Sequence, residues 1–382
     1  MQRWQSSTYG SASNLELVTL PSKPIPSSHQ LLLRILTTSA TYTDQLIIHG
    51  NYRPKFPLPV TPGYDAIGIV ESIGDKVTNF QIGDTVAIMP QGGCATTYLC
   101  INADKSIKIN LENLTPELAL SVVLTGITAY QMVHRAAGSR IVQSPNGSLT
   151  TYPLASSSSA SSSSNTSSST RYARILVHSC TGATGSMIVQ IAKAAGLPSS
   201  NIYGTCSTKN LTVATEQMGI QALDYTLNTW ENDILKLTNN EGVDVIFDAI
   251  ILNLYYERGM SCLATNGKYI GYGVTNSNAP GSLVIPSVIG AFTKLTLQNY
   301  VYSWFNKKET EFYNIAERRI SHAKDFETDL YTLLEMVKKN TLQPVIGKIW
   351  SFQEVKEALL SIENNQNIGR QIIKVGSNSN NN

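Results

Sequence analysis

The stretch Arg174–Gly196, RILVHSCTGATGSMIVQIAKAAG, constrains this chain more than any other. Ile175, Leu176 and Val177 form the short apolar run of a central strand buried on both faces. Ser179, Gly182 and Gly185 follow at the spacing S-x-x-G-x-x-G, and Met187, Ile188, Ile191 and Ala192 then recur as one face of a helix. A buried strand, a turn of small residues and a helix, in that order, make a phosphate cradle. Glycine lets the backbone turn sharply and approach a pyrophosphate, whose charge is favoured at the helix N-terminus. Ser179, Thr181, Gly182, Ala183, Thr184 and Gly185 are therefore the expected cofactor contacts of a dinucleotide site. A glycine-rich turn alone is a weak signal, so its neighbours must decide.

After this stretch strands and helices alternate. Ile202–Thr205, Val243–Asp248 and Lys268–Gly271 read as further strands, and Phe326–Lys338 as a helix. That rhythm implies an α/β fold with a doubly wound parallel sheet. Residues 1–120 look different: Leu31–Ile35 and Ala66–Ile73 are apolar and partly alternating, and Pro62-Gly63 and Gly83-Asp84 punctuate them. This is the pattern of a small β-barrel. Thr115–Ala137 reads as helical, with Pro116 near its start. Serine runs between Ser139 and Tyr172 cannot bury a core and read as a disordered insertion. It enters the first parallel strand from the edge opposite the cofactor, where loop length costs little because closure entropy grows only logarithmically. Gly369–Val375, GRQIIKV, reads as a closing strand that returns to the first domain.

Composition narrows the function classes. The chain has 382 residues, enough for two domains, with 42% hydrophobic residues and a net charge of +2. No basic stripe suggests a nucleic-acid partner. No run approaches transmembrane length and the N-terminus has no apolar signal core, so a cytoplasmic protein is expected. Five scattered cysteines fit a reducing compartment better than a disulfide scaffold.

Several blocks in order carry a family resemblance: TPGYDAIGIVESIGDKVTNFQIGDTVA at 61–87, LTGITAYQMVHRAAG at 124–138, the stretch at 174–196, GKYIGYG at 267–273 and IGRQIIKV at 368–375. Together they resemble the medium-chain dehydrogenase/reductase superfamily, on its zinc-free quinone oxidoreductase (zeta-crystallin-like) branch. The resemblance implies a GroES-like β-barrel catalytic domain interrupted by a Rossmann domain. On this chain that is a catalytic first part at 1–120, a Rossmann NADP-binding domain at 121–303 with the insertion at about 139–172, a returning catalytic part at 304–376 and a disordered tail at 377–382.

Zinc alcohol dehydrogenases of this superfamily carry Cys-x-x-Asp and Gly-His-Glu in the matching region. Here those places hold Thr41-Tyr42-Thr43-Asp44 and Gly63-Tyr64-Asp65. Threonine and tyrosine are poor zinc ligands beside thiolate and imidazole, and the four-cysteine structural lobe is missing, so no catalytic metal is expected. The histidines His29, His49, His134, His178 and His322 show no paired ligand spacing and read as surface or satisfied residues.

NAD-preferring sites place an acidic residue about 20 residues beyond the glycine turn, on the ribose 2′-hydroxyl. None occurs between Ser186 and Thr215, whereas Ser207 and Lys209 could bind and neutralise a 2′-phosphate. NADPH is thus the expected cofactor, although the family's usual lysine falls in register nearer Leu211 than Lys209. Tyr225, in LDYT, matches a family tyrosine near the adenosine phosphate. The resemblance also places the nicotinamide in the cleft between domains, with Thr125 and Thr128 along it. Gly271, Tyr272 and Gly273, like Asp248-Ala249-Ile250, should border the cofactor at strand ends, and Arg370 could reach its phosphates. Thr41, Tyr52 and Tyr64 are the expected catalytic residues lining the substrate side, Tyr52 as a hydrogen-bond donor to the acceptor; Asp44 reads as structural.

The implied reaction is hydride transfer from NADPH to a quinone or an α,β-unsaturated carbonyl. An enoyl-thioester reductase and a nucleotide-binding structural or interaction protein with little catalysis remain open alternatives. A homodimer is expected by analogy, with Leu295–Tyr302 as a strand that pairs across it.

Overall fold

In the computed structural model, residues 1–137, 172–251, 254–273, 307–364 and 367–376 are described, with the strand residues 142–143 and 149–150. They divide into two compact units, one built from Met1–Thr128 and the chain from Ile315 on, the other from residues between Ala129 and Asn314.

In chain order the strands are β1 (Gln2–Gln5), β2 (Glu16–Thr19), β3 (Gln30–Ala40), β4 (Ala66–Ile73), β5 (Thr85–Ile88), β6 (Tyr98–Asn102) and β7 (Ser106–Lys108). They continue as β8 (Val142–Gln143), β9 (Leu149–Thr150), β10 (Ile175–His178), β11 (Ile202–Cys206), β12 (Gln221–Asp224), β13 (Val243–Asp248), β14 (Leu263–Gly271), β15 (Glu309–Phe312), β16 (Ile346–Ser351) and β17 (Arg370–Lys374).

The first unit is built on a sheet of order β16-β17-β3-β4-β5-β7, with β6 also paired to β3. β3 is long because it carries two sets of partners. Its Leu31, Leu33 and Ile35 pack with Val70, Phe80, Val86, Ile88 and Ile101, all buried. Each such side chain contributes about 1.5–3 kcal/mol on burial. β17 pairs antiparallel with β3, from Gln371 opposite Ala40 to Lys374 opposite Thr37, so the closing strand does return to the barrel. Trp4 reinforces that closure by donating its indole N–H to the Phe352 carbonyl at 2.7 Å.

The second unit holds a six-stranded parallel sheet of order β12-β11-β10-β13-β14-β15. Numbered within the unit this is 3-2-1-4-5-6, the doubly wound order whose direction reverses beside β10. All four residues of β10 are buried, as the apolar run required. The return to the first unit begins at Ile315 rather than 304, because β15 pairs along β14 and keeps 309–312 in the parallel sheet.

Helical structure over 115–137 is Pro116–Val123, Thr125–Gln131 and a wider turn at Met132–Ala136. Most of the serine-rich insertion lies outside the described residues, but within its span Val142–Gln143 pairs antiparallel with Leu149–Thr150. The strand expected at Leu295–Tyr302 and the tail at 377–382 also lie outside them. No helix among the described residues is long and apolar enough to cross a membrane.

Candidate functional site

Within the second unit, the ends of five neighbouring strands, β12, β11, β10, β13 and β14, bring most of the expected cofactor residues to one sheet edge. β10 ends at His178, and Ser179 takes a left-handed conformation with φ 57°. The Gly182 N–H closes the turn onto the Ser179 carbonyl at 2.9 Å. Gly182 is the N-cap of the helix Ala183–Ala194, and no side chain caps it. The first amide groups of a helix have no partner within it, so they are available to an anion. Ser179 is exposed and Gly182, Ala183 and Thr184 are partly so. Gly185 has a steric reason to be glycine: a Cβ there would lie 2.2 Å from the Ser179 carbonyl oxygen and 2.9 Å from the Cys180 Cα. Thr181 is buried, and its hydroxyl accepts from the Asn210 amide at 3.3 Å.

At the end of β11, Ser207 is half-buried and Lys209 exposed, and the Ser207 side chain hydrogen-bonds the Tyr225 phenol. Sequence spacing missed the carboxylate on this edge. Asp224 lies opposite Cys206 in the β11–β12 register. Its oxygens accept from the Thr208 hydroxyl at 2.5 Å, the Thr226 hydroxyl at 2.7 Å and the Thr226 N–H at 2.8 Å. Slight burial pushes its pKa up, but these hydrogen bonds outweigh it and hold the carboxyl below its ordinary range. The available signal was its place directly before Tyr225 in LDYT.

At the end of β13, buried Asp248 accepts from the Ile250 and Ile251 amides at 2.7 and 2.9 Å and from the Tyr269 phenol. It closes that strand's turn. The Tyr272 N–H donates to the Asp248 carbonyl at 2.9 Å, and a Cβ on Gly273 would meet the Ala249 carbonyl at 2.7 Å. Gly271, Tyr272 and Gly273 are thus held against the β13 end.

The first unit gathers the remaining expected residues. Tyr52 and Tyr64 hydroxyls lie 3.2 Å apart, and Tyr52 donates to the Gln91 side-chain oxygen at 3.0 Å. Tyr52 has one proton to give, so Tyr64 donates to Tyr52 and the three form a relay ending at Gln91. Burial pushes both phenols above their ordinary pKa, so both stay protonated at neutral pH. Gln91 sits at φ 73° and its N–H donates to the Tyr64 carbonyl at 3.2 Å. The sequence offered for it only the turn-like Pro90-Gln91-Gly92-Gly93.

Thr41 and Arg370 are both engaged by internal partners. Thr41 is the N-cap of the helix Tyr42–Ile48. Its hydroxyl accepts the Asp44 N–H at 3.1 Å while its own backbone N–H donates to the Asp44 carboxylate at 2.9 Å, a reciprocal capping box, and the hydroxyl also donates to that carboxylate at 2.6 Å, which commits it. Asp44 also accepts from the Gly63 N–H at 2.7 Å and is fully buried, and that burial pushes its carboxyl up to about 6. Arg370 turns inward rather than toward solvent. It is buried at 3% exposure, and one guanidinium nitrogen lies 2.6 and 2.7 Å from the Asp65 oxygens and 2.9 Å from the Ser39 hydroxyl. A charge so placed stays with its counter-charge, since exposing either alone would strand the other. Asp65 also accepts the Leu124 N–H at 3.2 Å, just before Thr125. The Thr125 and Thr128 hydroxyls donate back to the Ser121 and Leu124 carbonyls at 2.8 and 2.7 Å, so what they offer outward is acceptor capacity.

His178 is a core histidine, its Nδ1 2.9 Å from the Thr205 hydroxyl and its ring edge-on to Trp230 and Tyr255. Among the described residues no group of three or more His, Cys, Asp or Glu side chains converges as a metal site.

Comparison with known proteins gives two family matches. Residues 27–146 match the alcohol dehydrogenase GroES-like domain and residues 219–373 the zinc-binding dehydrogenase family. The chain is 22% identical over 372 residues to the mouse (Mus musculus) synaptic vesicle membrane protein VAT-1 homolog-like, covering 96% of this chain and 79% of that protein. It is 24% identical over 380 residues to a probable quinone oxidoreductase of Schizosaccharomyces pombe, covering 97% and 95%. The crystal structure of Escherichia coli quinone oxidoreductase complexed with NADPH superimposes with a TM-score of 0.76 at 18% identity, covering 98% of this chain and all (100%) of that one.

Proposed function

Because the chain belongs to the medium-chain dehydrogenase/reductase superfamily, we propose that it is an NADPH-dependent reductase that delivers a hydride to a quinone or an α,β-unsaturated carbonyl without a catalytic metal. The observation that carries this reading is the uncapped helix end at Gly182, with the exposed Ser179 turn before it and Gly185 packed too closely for any side chain. That cradle suits a pyrophosphate, held by backbone N–H groups of the first helical turn. When bound, the reduced nicotinamide supplies the hydride.

The chain's own residues would do the rest. Lys209 would neutralise a 2′-phosphate and Ser207 and Tyr225 would hydrogen-bond it. Asp224 is a carboxylate on the same edge, and the preference for NADPH rests on its oxygens being taken by Thr208 and Thr226. On the acceptor side, Tyr64 and Tyr52 pass hydrogen bonds along one line to Gln91. An acceptor oxygen that takes the Tyr52 proton from Gln91 would be stabilised as it gains charge. Thr41 and Tyr64 stand where zinc relatives carry thiolate and imidazole. One hydroxyl is committed to a cap and the other stays protonated, so neither offers an anionic ligand.

The test is to titrate NADPH and NADH by nicotinamide fluorescence, then follow the loss of reduced nicotinamide with a panel of benzoquinones and enones, with and without EDTA. We expect NADPH to bind at least about ten-fold more tightly, the effect of one charge-assisted contact. We also expect its oxidation by some of the panel to be unaffected by EDTA. Equal or tighter NADH binding would overturn the preference. Tight NADPH binding with no oxidation across the panel would favour a binding protein.

A further inference from the structure

The β10–β11 register runs from Ile175 opposite Ile202 to His178 opposite Thr205, and one more step would set Ser179 opposite Cys206. The left-handed Ser179 interrupts it, and the next residue, Cys180, donates its N–H to the Thr205 carbonyl at 3.1 Å. In parallel strands that bond sets the donor opposite the residue after the acceptor, which is Cys206. Neighbouring strands lie about 4.7–4.9 Å apart, within the Cα separation of about 4.4–6.8 Å that a disulfide spans.

The side chains agree. A Cβ on Gly204 would lie 2.7 Å from both the Cβ and the Sγ of Cys180, so that thiol occupies the space above Gly204. Cys206, two residues on, points to the same face. The Cys180 thiol hydrogen-bonds the Cys206 sulfur; donating raises the pKa of Cys180, and accepting lowers that of Cys206. Both cysteines are free and buried, and each adjoins a more accessible residue in the chain, exposed Ser179 and half-buried Ser207. A water-sized oxidant suits such a place better than a bulky one.

We propose that Cys180 and Cys206 form a reversible disulfide under peroxide, and that this bond distorts the glycine turn and switches off nucleotide binding. The Cys206 thiolate attacks the peroxide; an S–O bond forms, the O–O bond breaks, and hydroxide leaves and is protonated to water. The Cys180 sulfur then attacks the sulfenic sulfur of Cys206. The S–S bond forms, the S–O bond breaks, and hydroxide departs as a second water with the Cys180 proton. Two thiols are oxidised and one peroxide is reduced to two waters. The coupling to the turn is steric, since the Cys180 Cα packs against Gly185 closely enough that a Cβ there would lie 2.9 Å from it, with the Ser179 carbonyl oxygen closer still at 2.2 Å. The Cys180 thiol must turn from above Gly204 to close the S–S bond, and any backbone shift that this imposes on Cys180 is passed to the first turn of the helix.

The effect on binding rests on the NADPH reading above, whereas the disulfide does not. The experiment treats the reduced full chain with hydrogen peroxide, maps peptides by mass spectrometry without reduction, and titrates NADPH before and after. We expect a Cys180–Cys206 cross-linked peptide, lighter by two hydrogens and reversed by dithiothreitol, and NADPH binding weakened at least about ten-fold until reduction restores it. Cys180→Ser and Cys206→Ser should each abolish the linked peptide and keep NADPH binding after peroxide. Linkage to Cys94, Cys100 or Cys262, or over-oxidation without any link, overturns the proposal. A Cys180–Cys206 link that leaves NADPH affinity unchanged overturns the switch. If the reduced chain binds no NADPH, the proposed function fails, while the peptide map still decides the disulfide.

Discussion

At the scale of single residues the Tyr64–Tyr52–Gln91 line is the most informative arrangement. Tyr52 gives its only proton to Gln91 and receives one from Tyr64, so its electrophilic capacity depends on being drawn away from Gln91. Tyr52→Phe removes that donor but leaves the glycine turn untouched. We expect turnover to fall by about 10²-fold, the scale of losing a positioned donor, with NADPH affinity unchanged. Unchanged turnover in steady-state assays would remove Tyr52 from this role.

Asp44 gives a residue-scale test of a different kind. Burial raises its folded-state pKa from 3.8 to about 6, against the hydrogen bonds from Thr41 and Gly63 that lower it. A carboxyl whose folded pKa is raised contributes stability that is fully present below the unfolded value and is lost as pH rises through the folded one. Acidification from pH 7 to pH 4 should therefore stabilise the fold through Asp44 by up to about 3 kcal/mol. Urea midpoints of the native chain and Asp44→Asn across that range measure it, the variant lacking this contribution. Carbon NMR titration of Asp44 near pH 4 instead of 6 would contradict it even if the variant fails to fold.

At the scale of elements, the unit β10, turn and helix Ala183–Ala194 was legible from local signals. An apolar run, small residues at fixed spacing and a helical apolar face each act over a few residues, so no distant contact is needed to read them. Gly185 tests how tightly the element is built. Gly185→Ala would push a methyl to within 2.2 Å of the Ser179 carbonyl, and a backbone atom cannot rotate aside. We expect a destabilised but folded chain with NADPH affinity reduced at least about ten-fold. Wild-type affinity in a fluorescence titration would show that the turn does not bind the cofactor. The helix Tyr42–Ile48 shows the same locality. Thr41 was expected to line the substrate side, yet Asp44 three residues later makes Thr41 a cap. A threonine followed three residues later by an acidic side chain is a local capping signal, so this part of the structure is encoded within one helical turn.

At the scale of the whole molecule, the buried Asp65–Arg370 pair ties β3, the Tyr64 loop, Leu124 and the closing strand β17 together within the first unit. Removing one partner leaves a buried charge unmatched, so Asp65→Asn should cost about 3–5 kcal/mol. The double variant Asp65→Leu with Arg370→Met should cost less than that single one. Denaturant midpoints at constant m-value compare them, and a double variant that loses the sum of both singles would contradict the pairing. The sequence by itself determined the order of strands and helices, the open helix end and the presence of threonine and tyrosine, not cysteine and histidine, at 41 and 64. Each of these depends on residue type and short-range spacing. Only the tertiary structure decided which polar groups meet. Tyr52 reaches Gln91 across 39 residues of sequence, and Arg370 reaches Asp65 across 305. Asp224 reaches Thr208 and Cys180 reaches Cys206 only because parallel pairing aligns their strand ends. A buried polar group must take whichever partner the fold brings within hydrogen-bond distance, and no local pattern encodes that choice.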